Sequence, residues 1–151
     1  MFNGCKLHDR FDNPFAPVTD QEAVSFGKLL VEEVNQGNKE KIINAGIDPT
    51  APHAVCEFLG EDFPNDLANP TPADIEFDRN YTIESHKALY EKTKHAEFVS
   101  VEPIGSTFQV VVRFDTITIL KNDISDRENK FILGKTKKTG DIVILSRGLR
   151  Q

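Results

Sequence analysis

The chain has 151 residues, 38% of them hydrophobic and 28% charged, which suits one globular domain with a single core and is too short for two ordinary ones. The balance of 18 basic against 24 acidic side chains leaves a formal net charge of −6, and no Lys/Arg cluster builds a phosphate-binding face, so nucleic acid is not an expected partner. No apolar run approaches the ~20 residues that cross a bilayer, and the opening MFNGCKLHDR has no apolar stretch of leader length, so no membrane partner is expected either.

Residues 1–18 contain Gly4, Pro14, Pro17 and no helical or strand period, and read as an N-terminal arm; Phe2, Phe11 and Phe15 suggest that it docks on the domain. One domain is expected over 19–151. Thr19-Asp20-Gln21-Glu22 has the form of a capping box, and Ala23, Phe26, Leu30 and Val34 then recur at steps of three and four up to Gly37. The pattern predicts an amphipathic first helix. Asn38 caps a second, shorter helix through Ile42 and Ile43, closed by Gly46 and Asp48-Pro49. Prolines at 49, 52, 64, 70 and 72 break the following stretch, leaving short strands over 54–59 and 75–77 on either side of an acidic loop. Thr82 is read as the N-cap of a third helix reaching about Lys94. From Glu97 the period becomes two: a strand over 97–102, a turn over 103–106 and a long strand over 107–121, apolar on both faces. A charged loop over 122–129 precedes a closing hairpin of 130–136 and 141–147, with Gly140 in the turn.

Cys5 and Cys56 are either two reduced thiols or one bridge holding the arm to the middle of the chain. Asn80-Tyr81-Thr82 matches a glycosylation acceptor, and Asn69-Pro70-Thr71 is excluded by its proline. The expected compartment is cytoplasmic; the alternative is a secreted chain whose leader has been removed, where bridge and sequon would belong together.

Helix, helix, short strands, helix and then long antiparallel strands is not a βαβ order, so the expected class is α+β, with N-terminal helices packed on a curved antiparallel sheet. The entry helix with Phe26, Leu30 and Val34 before Gly37-Asn38, the long strand from Phe108 to Lys121, and the end from Lys135 through Gly140 to Ile142, Ile144 and Gly148 carry a likeness. On these features the chain resembles the nuclear-transport-factor-2-like superfamily, an α+β roll that includes ketosteroid isomerase, scytalone dehydratase and SnoaL-like polyketide cyclases. The likeness covers Thr19 to Gly148. The chain lacks the Trp usual in the last strand, and its middle loop is acidic and proline-rich, which leaves cystatin-like and toxin-immunity folds open.

The resemblance implies a conical cavity between helices and sheet, often with Asp, Tyr or His inside, and a homodimer formed through the sheet's exposed face. A carboxylic acid kept neutral in such a pocket can donate a hydrogen bond to a developing enolate. The catalytic candidates are Asp115, His86 and Tyr90, with Arg113, His53, Asp62 and Asp66 as further polar groups; Asp115 and Arg113 are two apart on one strand and read first as an ion pair. Phe26, Leu30, Phe108, Val110, Val112 and Phe114 are the candidate walls of a site for a small apolar ligand, and are otherwise core. His86 and His95 have no third ligand at metal spacing, and Glu61, Asp62, Asp66 and Asp74 lack the pattern of a calcium loop, so no metal and no cofactor are expected. No nucleophile elbow, phosphate loop or dinucleotide fingerprint occurs. The leading expectation is a non-catalytic binding or interaction domain. Its rivals are a small-molecule isomerase, dehydratase or cyclase using a cavity Asp or His, and an acidic immunity-type protein that masks a basic partner.

Overall fold

A computed structural model describes residues 14–37, 58–59, 71–118 and 123–150. In chain order these form β1 (Phe15–Ala16), α1 (Asp20–Gln36), α2 (Pro72–Lys92), β2 (Thr93–Ile104), β3 (Thr107–Thr118), β4 (Asp123–Thr136) and β5 (Ile142–Arg150). Strands β2 to β5 make an antiparallel meander, curled into a half-barrel, and β1 joins the far end of β4 through Phe15↔Thr136 and Ala16↔Lys135. The α+β expectation of a helix on a curved antiparallel sheet therefore holds. The second helix expected from Asn38 lies outside the described residues, as do His53, Asp62, Asp66, Cys5 and Cys56.

Helix α1 starts where the sequence places it. The Glu22 N–H donates to Thr19 Oγ1 at 3.1 Å, and the Thr19 N–H donates to Glu22 Oε1 at 2.9 Å, so each satisfies an amide the first turn leaves orphaned. Gly37, at φ 80°, ends the helix in the left-handed conformation that glycine adopts without cost. The inner stripe Ala23, Leu30 and Val34 packs with Val18 against Ala96, Val110, Val112, Phe114, Phe131, Leu133 and Ile144 of the concave face. Gly27 lies at the crossing point: a Cβ there would stand 2.7 Å from both Phe98 Cε1 and Val110 Cγ1. No side chain fits between helix and sheet at that position.

The bulges explain why the strands do not alternate cleanly. Between Phe98 and Ser100 the β2 register shifts, so Phe98 opposes Val112 while Val101, three residues on, opposes Val110 on the same inner face. A second shift sets Ile132 against Ser146 but Leu133 against Ile144, leaving Leu145 as the extra residue. Leu145 turns to the outer face and packs there with Phe15, Phe58 and Val143. Docking of the arm's end thus falls on a second, smaller core. Phe58 and Leu59 take helical backbone, in place of the strand expected over 54–59.

Four further expectations are corrected. Residues 75–77 are not a strand and Thr82 is no N-cap, because α2 begins ten residues before Thr82, at Pro72. Thr71 caps it: its Oγ1 accepts from the Asp74 N–H at 3.1 Å, and its own N–H donates to Asp74 Oδ2 at 3.0 Å. With proline tolerated in a first turn, Pro72 opens this helix instead of breaking it. Strand β2 starts at Thr93, directly after Lys92, where helix was expected to about Lys94 and strand from Glu97. The charged stretch 122–129 is not a loop from Asp123 on; it is the first half of β4, paired residue by residue with Thr118 to Val112. A long partner strand offering backbone hydrogen bonds outweighs the weak strand preference of Asp, Glu and Asn.

Candidate functional site

The concave face is where the resemblance puts a ligand. Leu30, Val110, Val112 and Phe114 are buried there, and Phe26 and Phe108 are partly buried against the same cluster. Phe114 meets Phe131 edge to face, with ring centroids 6.1 Å apart and planes at 82°. All six proposed wall residues are thus brought together, as packed side chains between α1 and the sheet.

Two polar residues interrupt this apolar wall, and neither was singled out from the sequence. Asn129 is 2% exposed and opposite Val112 in register, one inward position from Phe131. Glu33 is 6% exposed and shares a flank of α1 with Phe26 and Glu22. That flank faces β4, since the Lys135 ammonium donates to Glu22 Oε2 at 2.6 Å. Glu33 reads in sequence as a solvated charge, and Asn129 lay within the expected loop. The stripe 26, 30, 33, 34 was the available signal for Glu33, and the strand parity of 129, 131 and 133 for Asn129.

Of the catalytic candidates, Asp115 falls elsewhere. Asp115 is on the outer face, in register with His95 across β2 and with Asp126 across β4. Arg113 is bonded by Glu97 at 3.3 Å and by Glu128 at 3.2 Å, its cross-strand neighbours. Residues directly opposite stand about 4.5–5.5 Å apart at Cβ, closer than residues two apart on one strand, so the guanidinium goes to them instead of to Asp115. Beside this ladder Lys130 reaches Glu102 at 3.3 Å, and Gln109 donates to Glu102 at 3.1 Å. His86 and Tyr90 lie one turn apart on α2. Among the described residues no three His, Cys, Asp or Glu side chains gather where a metal could be held, and no helix is long and apolar enough to cross a membrane.

Helix α2 carries an arrangement of another kind. Phe77 and Tyr81 are each 67% exposed. Their rings stack on one another, centroids 6.3 Å apart at an interplanar angle of 17°, as residues four apart on a helix can. Asn80, the asparagine of the glycosylation pattern, is exposed inside this helix. Comparison with protein-family models, with curated proteins and with solved structures finds no match to this chain.

Proposed function

We propose that the chain is a non-catalytic protein-interaction domain that binds through the exposed face of α2. The observation that carries this reading is the stacked pair Phe77 and Tyr81 held in solvent. Fully burying a side chain of this size gains about 1.5–3 kcal/mol, and exposed aromatics are the residues on which protein interfaces concentrate their binding energy. The packing of the six candidate wall residues into one cluster between α1 and the sheet supports the same view. The nuclear-transport-factor-2-like roll remains the fold we propose for this scaffold.

The small-molecule reading has its own support in Glu33 and Asn129, the polar groups buried on the concave side. Asp115, the candidate on the long strand, faces the other way. A homodimer through the outer face would cover Glu97, Arg113, Glu128, Lys130 and Glu102, charges already compensated within one chain.

The test places a photo-crosslinking residue at Ala88 or, as control, at Lys138 in the β4–β5 turn, and irradiates the protein in an extract of its native host. Protein adducts are expected from position 88 and should disappear when Phe77→Ala and Tyr81→Ala are combined. Equal adducts from both positions, or a small molecule retained in non-denaturing mass spectrometry, would overturn the interaction reading.

A further inference from the structure

Asn80-Tyr81-Thr82 is the one Asn-x-Ser/Thr triplet without proline in the chain, and the structure removes the competing use of its threonine. As the N-cap of a helix, Thr82 would have a structural reason to stand where it does. Helix α2 runs from Pro72 to Lys92, however, so Asn80 and Thr82 both lie in its interior. Asparagine and threonine are weak helix formers there: one competes with the backbone for hydrogen bonds, the other loses side-chain freedom, and both are favoured at caps instead. Asn80 is also exposed, and so are Glu76, Phe77, Tyr81 and Glu84, its neighbours beside it and one turn away. Asn80 stands about 60° round the helix from Phe77 and about 100° from Tyr81. A bulky, hydrated group on it would project from this exposed flank, with Ile83, one turn on, marking where the side packed on the core begins.

We propose that Asn80 is an N-glycosylation site, modified before α2 folds. The inference stands apart from the interaction reading, since the sugar borders the face of Phe77 and Tyr81 whichever partner that face takes. In the step itself, Asn80 Nδ2 attacks the anomeric carbon of an oligosaccharide carried on a lipid diphosphate. The nitrogen–carbon bond forms as the carbon–oxygen bond to the diphosphate breaks; the diphosphate leaves with the bonding pair and the carboxamide gives up one proton. Nothing is oxidised or reduced. The hydroxyl residue two positions on belongs to the recognised pattern, yet positions two apart on an α-helix stand about 200° round from one another and do not share a face. The finished helix does not offer both to one active site, so the acceptor is the chain before α2 forms. Such a chain enters the secretory lumen, where the lipid-linked donor is consumed, and belongs to the secreted alternative.

Two experiments test this. Protein isolated from its native host is treated with a peptide N-glycosidase in heavy-oxygen water, digested and read by mass spectrometry. Residue 80 is expected as labelled aspartate in most copies; unlabelled Asn80 throughout would overturn the proposal. Separately, the full chain is synthesised behind a secretory leader into microsomes, where it should gain the mass of one glycan. Asn80→Gln and Thr82→Ala should abolish the gain and Thr82→Ser should keep it. A gain that survives Asn80→Gln would place the sugar elsewhere and overturn the site. Because Asn80 is exposed, Asn80→Gln should leave the melting temperature of the unglycosylated protein unchanged, which separates loss of the acceptor from loss of the fold. Purified folded protein, offered to the same membranes opened with detergent, should remain unmodified; transfer to it as complete as to the nascent chain would overturn the order of events.

Discussion

Asn35 closes the exposed edge of β2 with its side chain. Its Oδ1 accepts from the Ala96 N–H at 2.8 Å and its Nδ2 donates to the Ala96 carbonyl at 3.0 Å, so the carboxamide supplies both bonds a neighbouring strand would make. Asn35→Ala should cost about 1–2 kcal/mol in chemical denaturation, the worth of two ordinary hydrogen bonds. Asn35→Asp should not restore the loss, since a carboxylate has nothing to donate to the carbonyl; full recovery in the Asp variant would refute the two-bond account. Gly27 poses the opposite problem. Alanine gains up to about 1 kcal/mol of helix preference over glycine, but its methyl would press on Phe98 and Val110, and overpacking costs about 1–3 kcal/mol. Gly27→Ala is therefore expected to destabilise the protein, and a raised denaturation midpoint would show that α1 has room to lift from the sheet.

Among the elements, α1 is fastened at its start by one carboxylate. Glu22 completes the capping box through Oε1 and takes the Lys135 ammonium of β4 through Oε2. Lys135 first, then the Thr19 amide, hold its pKa below the ordinary glutamate value of 4.5. A carboxylate whose folded pKa is depressed binds protons more readily in the unfolded chain, so its contribution to stability is present above that ordinary value and is lost as pH falls through the folded one. Lys135→Met should accordingly destabilise the protein at neutral pH, and the gap from the parent should narrow as pH drops below about 4.5; a gap constant from pH 7 to pH 3 would exclude Glu22 as the partner that matters. The same cap was legible in sequence because Thr19 and Glu22 precede a clean apolar stripe. The cap at Thr71 and Asp74 has the same chemistry, yet the prolines around it and the thin periodicity of α2 hid it. Asp123 to Asn129 was illegible for a different reason: nothing local marks these residues as strand, and only the partner β3 makes them one.

At the scale of the whole molecule, stability rests on the layer between α1 and the sheet, where Phe114 and Phe131 meet. Phe114→Ala should cost about 3–5 kcal/mol, and an unchanged denaturation midpoint would place the core elsewhere. This layer was readable from the alternation of β3 and the stripe of α1, which together name its principal members. The stacked aromatics of α2 were not, because Phe77 falls in the short strand expected over 75–77 and Tyr81 just before the helix expected from Thr82, so no single helix joins them in the sequence reading. Junction geometry adds a last consequence. Lys92 ends α2 and Thr93 begins β2 with no residue between them, and β2 is held along its length by β3 and pinned at Ala96 by Asn35. Helix runs straight into strand, with a register shift between Thr93 and His95 beside the junction, so a weight hung on the aromatic end would bear on the first residues of the strand. The amides around Ala96 are where such a load would first register.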